Sequence, residues 1–432
     1  MNAATATQGV AYAKFRPRHE TSTGLYVGLW IFFLFMYLRP QDLIPGLDKI
    51  RPVVILMVMI SLAFLVSNTR GALSESSPYF KGLLVFSAAA IWSVPFSFYP
   101  RASVDAVLEF FKVVLACFLI IKIVDSFRRI ERIILLINTV LVIFAVDITL
   151  KYLAGQDHGQ ILGMVGGQFE NPNDLSVNFV LFLPMLYYYF HVSKNTLLKL
   201  LWLGLFGLIL LGVAGCQSRG GMLGAMLVLG LLFLKTERKG IALLVLGITS
   251  TLVLLLAPGN AFDRLNTVIN YKEESSAYGR VLFYESSIKM LLHRPLTGVG
   301  INAWQTAYSE AFRNPEDTSH RWPDPHSTYF QIIGELGIPG LAAFCFLLYA
   351  TFRSLHRMEK AYKNREGFDR QFYFIQCLKI GFLGFAFTAI FQSFSYYHTL
   401  YNLMALVVAM ERSIPDGLSE PAVAVKGASG HG

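Results

Sequence analysis

The sequence predicts an all-α polytopic membrane protein with about twelve transmembrane helices and one long, partly helical outer loop. The first observation behind this fold class is composition. Hydrophobic residues make up 54% of the 432 residues and charged residues only 15%, with a mean hydropathy of +0.50. Soluble domains average about 25% charged residues, so this composition excludes a soluble enzyme, a nucleic-acid-binding protein and a disordered scaffold. The second and third observations are the apolar runs and the distribution of basic residues.

The apolar runs set the number of spans. A helix that crosses a bilayer needs about 20 largely apolar residues, and twelve such runs occur. They begin near Leu25, Pro52, Phe80, Val104, Ile130, Leu175, Leu197, Gly221, Ile241, Thr328, Phe372 and His398. The first run continues into RPQDLIPGL without a small-residue cleavage site, so we expect it to remain as a helix and not to be removed as a signal peptide.

The basic residues of the short connections set the orientation in the membrane. With a cytoplasmic N-terminus, 22 Lys and Arg fall in cytoplasmic segments and 6 in short outer loops, which predicts that both termini are cytoplasmic. This bias also accounts for most of the net charge of +9, without nucleic acid as a partner. The predicted organisation is a cytoplasmic tail (1–24), nine spans (25–258), an outer loop (259–327), three spans (328–412) and a disordered cytoplasmic tail (413–432).

The outer loop is the one long connection, and long loops in compact folds usually carry function. It contains 7 basic and 8 acidic residues. An arginine that binds an anion here therefore does so by its position, and not through a general positive field. The stretch RVLFYESSIKMLLHRP has apolar residues at helical spacing, which predicts a short amphipathic helix at the membrane face.

Four places on the outer side combine polar residues with glycine or proline turns. In GGQFENPNDLS, Asn171 and Asn173 indicate a turn and helix cap, with amide donors for sugar hydroxyls as the alternative. In CQSRGGMLG, Arg219 lies at the membrane edge, where it either extends to the interface or binds a ligand that the adjacent glycines let approach. Arg264 and Arg280 lie in the outer loop, and each taken alone is typical of a solvated surface arginine.

The fourth place is WPDPHSTYFQIIGELGIPGLAAF, where His326 follows a Pro-Asp-Pro turn and opens the tenth span. A lone histidine is usually structural, but an imidazole at this surface can titrate near neutral pH. Gly334, Gly337 and Gly340 recur every three residues and predict a smooth helical face against another helix.

Several motifs are missing from the sequence. The outer loops lack DxD, HExxH and clustered carboxylates, and no Walker loop or GxGxxG occurs, so metal-dependent and nucleotide-dependent chemistry are disfavoured and no cofactor is expected. The four cysteines form no CxxC pair, which argues against a disulfide framework or a zinc site. A group transfer outside the cytoplasm then needs an activated, membrane-borne donor. A polyprenyl diphosphate sugar meets this need, since arginines can bind its leaving group through paired hydrogen bonds.

Four outer-face segments together resemble one known family. GGQFENPND, QSRGGMLG, GRVLFYESSIKMLLHRPLTGVGINAW and PHSTYFQIIGELGIPGLAAF, in this order, resemble the O-antigen ligase and O-antigen polymerase family over roughly residues 165–350. The resemblance implies a GT-C type glycosyltransferase of the bacterial inner membrane that moves a glycan from undecaprenyl diphosphate on the periplasmic face, without a metal. It implies that Arg219 and Arg280 bind the diphosphate, with Arg264 as a further substrate-binding residue, and that His326 activates the acceptor hydroxyl.

The resemblance leaves the acceptor open. A ligase would use a lipid A core or similar acceptor, as in lipopolysaccharide synthesis, whereas a polymerase would use a second lipid-linked repeat unit. The N-terminal stretch YLRPQDLIPGL is not assigned by either branch of the family.

A membrane transporter is the alternative from another class, and it would place ionisable residues near the bilayer midplane. The candidates are Glu109, Lys112, Asp147 and Lys379. Glu109 and Lys112, three residues apart, can also pair with each other as structure. The polar residues are concentrated at the outer edge and in the long loop, which favours the enzyme.

Overall fold

The computed structural model describes residues 21–67, 77–155, 161–236, 239–240, 247, 275–317 and 323–414. These residues form helices and connecting segments with no strand among them, which confirms the all-α class. Among the described residues, six helical segments are long and apolar enough to cross a membrane. They are Asp48–Val66, Pro78–Phe96, Phe127–Leu153, Pro172–Val192, Thr196–Gly215 and Thr328–Tyr362. The structure is therefore that of a polytopic membrane protein, whereas the total of twelve spans stays a prediction.

The helices follow the predicted apolar runs in order. They are α1 (Thr23–Tyr37), α2 (Pro40–Leu43), α3 (Pro52–Val66), α4 (Pro78–Ser93), α5 (Pro100–Ile123), α6 (Phe127–Leu153), α7 (Pro172–Val192), α8 (Thr196–Gly215), α9 (Arg219–Lys235), α10 (Ser275–His293), α11 (Trp304–Ala307), α12 (Thr328–Tyr362), α13 (Asp369–Thr388) and α14 (His398–Arg412). Eleven of the twelve predicted spans have a helix at the predicted place. The ninth, predicted from Ile241, lies outside the described residues.

Local sequence explains where α7 and α9 begin. α7 starts with a proline, whose fixed φ suits the first helical position. Just before it, the Asn171 side chain accepts a hydrogen bond from the backbone N–H of Asn173 (2.9 Å). α9 is capped in the same way, because the Ser218 hydroxyl accepts from the N–H of Gly221 (3.3 Å). Both caps satisfy backbone donors that lack a partner inside the helix.

The core is built around α7, whose side chains are buried along almost the whole helix. It packs against α8, α9 and α13. Glycines allow the closest of these contacts, since a Cβ atom at Gly381 would lie 2.0 Å from the backbone oxygen of Leu181. By contrast, α8 and α3 expose leucines such as Leu197 and Leu62, as expected for helix faces that contact lipid.

The helix α12 is not continuous. Gly337 has φ 65° and ψ −159°, a non-helical conformation, and Pro339 follows it. The break leaves carbonyls free to accept hydrogen bonds from the loop after α10, from Val299 N–H (2.9 Å) and Gly300 N–H (3.0 Å). In the opposite direction, the N–H of Ile338 donates to a carbonyl of the same loop (2.8 Å). The smooth glycine face expected from the sequence is therefore wrong, because one of its glycines interrupts the helix.

A helix is confirmed where the sequence predicted one in the outer loop, and it is α10. Its position at the membrane face stays a prediction. It lies along α12, where the ring of Tyr284 stacks on Phe330 with centroids 4.3 Å apart. Its other side supplies Met290 to a small apolar cluster with Trp304 and Tyr308, separate from the main core. The described part of the outer loop thus has a core of its own. Residues 259–274 and 318–322 of the predicted loop lie outside the described residues.

Candidate functional site

The loop between α13 and α14, residues 389–397, joins helix ends that are far apart in the sequence. The side-chain amide of Gln392 donates to the Ser218 hydroxyl at the start of α9 (3.4 Å). The backbone carbonyl of Gln392 accepts from the hydroxyl of Thr328 at the start of α12 (2.7 Å). We call this segment the α13–α14 loop. It brings Arg219, which follows Ser218, to the same region as the loop end that carries His326.

His326 has an uncommon backbone conformation, with φ +50°. The left-handed region is unusual for a residue with a side chain, and such strained positions cluster at functional sites. The hydroxyl of Tyr284 lies between two carbonyl acceptors, those of His326 (3.4 Å) and Ile390 (3.3 Å). These contacts connect α10, the end of the outer loop and the α13–α14 loop, and they fix the half-buried histidine between them.

The charge state of His326 follows from its surroundings. Burial, and to a smaller extent the positive charge of Arg280, lowers the pKa of His326 to about 4. Both effects disfavour the imidazolium form. At pH 7 the imidazole is therefore neutral, with one ring nitrogen able to accept a proton. This differs from the titration near neutral pH expected from the sequence. Arg280 itself is half-buried on α10, one turn before Tyr284.

Arg219 is the first residue of α9 and is half-buried. The glycines that follow it allow close helix packing. A Cβ atom at Gly220 would lie 3.0 Å from the Phe391 Cβ, and one at Gly221 would lie 2.4 Å from the Ser176 hydroxyl. These glycines therefore serve contacts with the α13–α14 loop and α7, and not the approach of a ligand. That part of the sequence interpretation is corrected.

Sequence reasoning missed two carboxylates and a tyrosine beside these residues. The Tyr397 hydroxyl donates to Asp174 in the first turn of α7 (3.0 Å). Asp324, two residues before His326, lies within electrostatic range of both Asp174 and Tyr397. Burial raises the pKa of Asp324 to about 6. The Pro-Asp-Pro turn and the NPND segment were recognisable, but their proximity to Tyr397 depends on tertiary structure and leaves no local signal.

The two predicted asparagines have a structural role. Asn171 is exposed and caps α7, so the turn-and-cap interpretation is confirmed. The backbone carbonyl of Asn173 accepts from the Ser176 hydroxyl (2.7 Å). Their binding of sugar hydroxyls stays a prediction. Arg264, the remaining predicted arginine, lies outside the described residues.

The residues proposed for a transporter do not form one site. Glu109 pairs with Lys112 (2.5 Å), which confirms the structural alternative for this pair. Asp147 pairs with Lys151 (2.8 Å). Lys379 of α13 pairs with a carboxylate of the neighbouring helix α12. Each candidate has a nearby partner of opposite charge, as in structural ion pairs. In the part of the chain that the structure describes, no group of three or more His, Cys, Asp or Glu is arranged to hold a metal ion.

Comparison with known proteins bears on the same region. A family model described as O-antigen ligase matches residues 200–345, about a third of the chain. This range contains Arg219, Arg280 and His326, and it confirms the family resemblance found in the sequence. A comparison with curated proteins found no match. The family match supports a glycan-processing function of the ligase or polymerase type.

Proposed function

We propose that this chain, whose residues 200–345 carry an O-antigen ligase family domain, is a glycosyltransferase that moves a glycan from undecaprenyl diphosphate to an acceptor hydroxyl. The transfer occurs on the periplasmic face of the bacterial inner membrane, without a metal, and inverts the anomeric carbon. One observation carries the proposal. Three segments all contact the α13–α14 loop: the start of α9 with Arg219 through Ser218, α10 with Arg280 through Tyr284, and the start of α12, which follows His326, through Thr328.

The reaction is a single displacement. His326, neutral at pH 7, accepts the proton of the acceptor hydroxyl as that oxygen attacks the anomeric carbon. The bond from the anomeric carbon to the diphosphate oxygen breaks, and undecaprenyl diphosphate leaves with the electron pair. Arg219 and Arg280 stabilise the charge that develops on this leaving group. Arg264, Asn171 and Asn173 are further substrate-binding residues in this proposal.

Donor binding also changes His326. In the free protein the positive charge of Arg280 helps to lower the pKa of His326. A bound diphosphate places negative charge beside Arg280 and opposes this effect, so the pKa of His326 rises. A general base is more effective when its pKa lies nearer the working pH. The donor thus improves the base that acts on the acceptor.

The same residues serve a ligase or a polymerase, and we place the ligase first. The decisive experiment supplies purified protein in liposomes with a lipid-diphosphate-linked glycan and each of two acceptors, a lipid A core and a second lipid-linked glycan. We expect formation of the joined product with the lipid A core and release of undecaprenyl diphosphate, both followed by mass spectrometry. Product from the second acceptor alone indicates a polymerase. Movement of a solute without glycan transfer contradicts the enzyme and supports a transporter.

A further inference from the structure

A cavity of about 400 Å³ lies between α1, α3, α5 and the start of α14, away from the family domain. Its volume is in the range of small-molecule sites, which is about 300–1,000 Å³. Met36, Met57 and Val113 form part of an apolar wall, and Arg51, Asp48 and other charged residues line it as well. The combination is suited to an amphipathic ligand.

Two sequence features without a role in the proposed reaction meet at this cavity. The first is the stretch that includes YLRPQDLIPGL, which contributes Arg39 and Asp42 to the lining. The second is the ion pair of Glu109 and Lys112 on α5, which also lines the cavity. All residues that line the cavity lie outside residues 200–345, the range that the family model matches.

The apolar wall is made by helices that also face lipid. Met57 and Val54 of α3 line the cavity, whereas Met59 and Leu62 of the same helix are about 60% and 58% exposed. A hydrocarbon chain in the cavity therefore has the same kind of surroundings as a chain of the adjacent bilayer. Such a chain contributes favourable free energy in proportion to the apolar area that it buries.

The basic and acidic residues that line the cavity are equal in number, and four of them form two ion pairs. Arg39 pairs with Asp42 (2.5 Å), and Lys112 pairs with Glu109. Arg51 and Asp48 are exposed and form no ion pair with any residue that the structure describes. The two lie at opposite ends of one short turn, Asp48–Ile50 and the residue after it. One guanidinium and one carboxylate thus remain available to a ligand.

We propose that this cavity binds a phospholipid with a zwitterionic amino-phosphate head group. The phosphate lies at the Arg51 guanidinium, whose planar fork matches phosphate oxygens. The ammonium lies at the Asp48 carboxylate, and one acyl chain follows the apolar wall. A lipid with a net negative head group would leave Asp48 facing an anion, which is unfavourable. This proposal rests on the cavity and does not depend on the proposed function.

Two residues of the cavity lining also contact the segment that leads into α7. The Asp42 carboxylate accepts a hydrogen bond from the Gly166 N–H (2.8 Å). A Cβ atom at Gly167 would lie 2.8 Å from the Arg39 guanidinium, so this glycine lets the arginine approach the backbone. Arg39 and Asp42 therefore connect the cavity to the loop that leads into α7.

The experiment uses the full chain, purified in detergent, stripped of lipid and examined by native mass spectrometry. Phosphatidylethanolamine and phosphatidylglycerol with the same acyl chains are titrated separately and in competition. We expect one molecule of phosphatidylethanolamine to bind, in preference to phosphatidylglycerol. Arg51→Gln should weaken its binding at least about fivefold, because a hydrogen bond to a charged group is lost. Lys49→Gln is the matched control, since Lys49 lies in the same turn but does not line the cavity.

Two further measurements distinguish a zwitterionic phospholipid from other lipid ligands. Asp48→Asn should reduce the preference for phosphatidylethanolamine over phosphatidylglycerol, because the contact with the ammonium is weakened. Polyprenyl phosphate should not displace the phospholipid. Equal binding by Arg51→Gln and Lys49→Gln, a wild-type preference for phosphatidylglycerol, or displacement by polyprenyl phosphate would each overturn the proposal. The lipid competition on the unmodified protein tests the proposal even when Arg51→Gln does not fold.

Discussion

The Tyr397 hydroxyl donates a 3.0 Å hydrogen bond to the Asp174 carboxylate, across 223 residues of chain. The contact joins the end of the α13–α14 loop to the first turn of α7. Asp174 is only 7% exposed, so its carboxylate depends on partners within the protein. The hydrogen bond therefore fixes the α13–α14 loop against α7 at one side of the candidate site.

Replacing Tyr397 should destabilise the contact between the α13–α14 loop and α7. Tyr397→Phe leaves Asp174 without its hydroxyl donor, and a buried polar group that loses its partner costs about 1–3 kcal/mol. We expect a lower Tm and a reduced rate of glycan transfer, measured on the same preparation. Tyr349→Phe is the control, because Tyr349 is 58% exposed on α12 and should leave both values unchanged. An unchanged Tm in Tyr397→Phe would show that the hydrogen bond contributes little.

His326→Ala should abolish transfer while donor binding is retained. General base catalysis contributes about 10²- to 10⁴-fold, and we expect a loss in that range. The measurement is turnover of a lipid-diphosphate-linked glycan, with donor affinity determined in parallel. His293→Ala serves as the control, since His293 is exposed at the end of α10. If His326→Ala keeps near-normal turnover, His326 is only a structural residue at the start of α12.

Lysine substitutions test whether the arginines act through their geometry. Arg219→Lys and Arg280→Lys keep the charge but lose the two parallel hydrogen bonds to diphosphate. We expect each to lower transfer at least about tenfold, which corresponds to about 1.4 kcal/mol in the activation free energy. Arg264→Lys should be milder. Full activity of the Arg219 and Arg280 variants would leave the diphosphate without an assigned site.

Arg313→Lys is the control for this series. Arg313 lies in the same outer loop and pairs with Asp317 (3.2 Å), a contact that lysine can keep. It should be silent in the transfer assay, because lysine keeps the positive charge and Arg313 has no part in the proposed reaction. A loss equal to that of Arg280→Lys would mean that the assay reports general damage to the loop.

The pH dependence of kcat/KM reports the free protein. Because burial and Arg280 lower the pKa of His326 to about 4, the base stays unprotonated as the pH falls from 8 to about 5. We expect no loss of kcat/KM from His326 in that interval and a decline only below it. Asp324, with a pKa of about 6, is a second group that titrates nearby, and it lies within electrostatic range of Asp174. Any limb from Asp324 should disappear in Asp324→Asn. A limb at about 6.5 that survives both Asp324→Asn and Asp174→Asn would contradict the low pKa of His326.

The predicted orientation can be tested with single cysteines in a variant without the native four. Glu310→Cys, at an exposed position of the outer loop, should react with an impermeant thiol reagent in intact spheroplasts. Lys363→Cys, exposed after α12, should not react until the membrane is opened. Reversed labelling would overturn the orientation and the periplasmic position of the site.

The sequence was most informative where a pattern is local. Apolar runs predicted the positions of the helices, and the spacing within RVLFYESSIKMLLHRP predicted α10, because hydropathy and helical periodicity are local properties. The break at Gly337 was not predicted, because the glycine spacing alone is also compatible with a continuous helix. The hydrogen bonds from the loop after α10 to the carbonyls of α12 depend on tertiary structure. The low pKa of His326 was also missed, because burial and the nearby Arg280 follow from tertiary structure.

The hydrogen bonds between the broken helix and the loop after α10 also constrain how a substrate can enter. Val299 and Gly300, in the loop after α10, donate backbone hydrogen bonds to carbonyls of α12 before its break. The Tyr284 hydroxyl, in the middle of α10, donates to the carbonyl of His326. These elements should therefore behave as one unit. The separation between Arg280, the anion-binding group, and His326, the base, should then stay the same when a substrate binds.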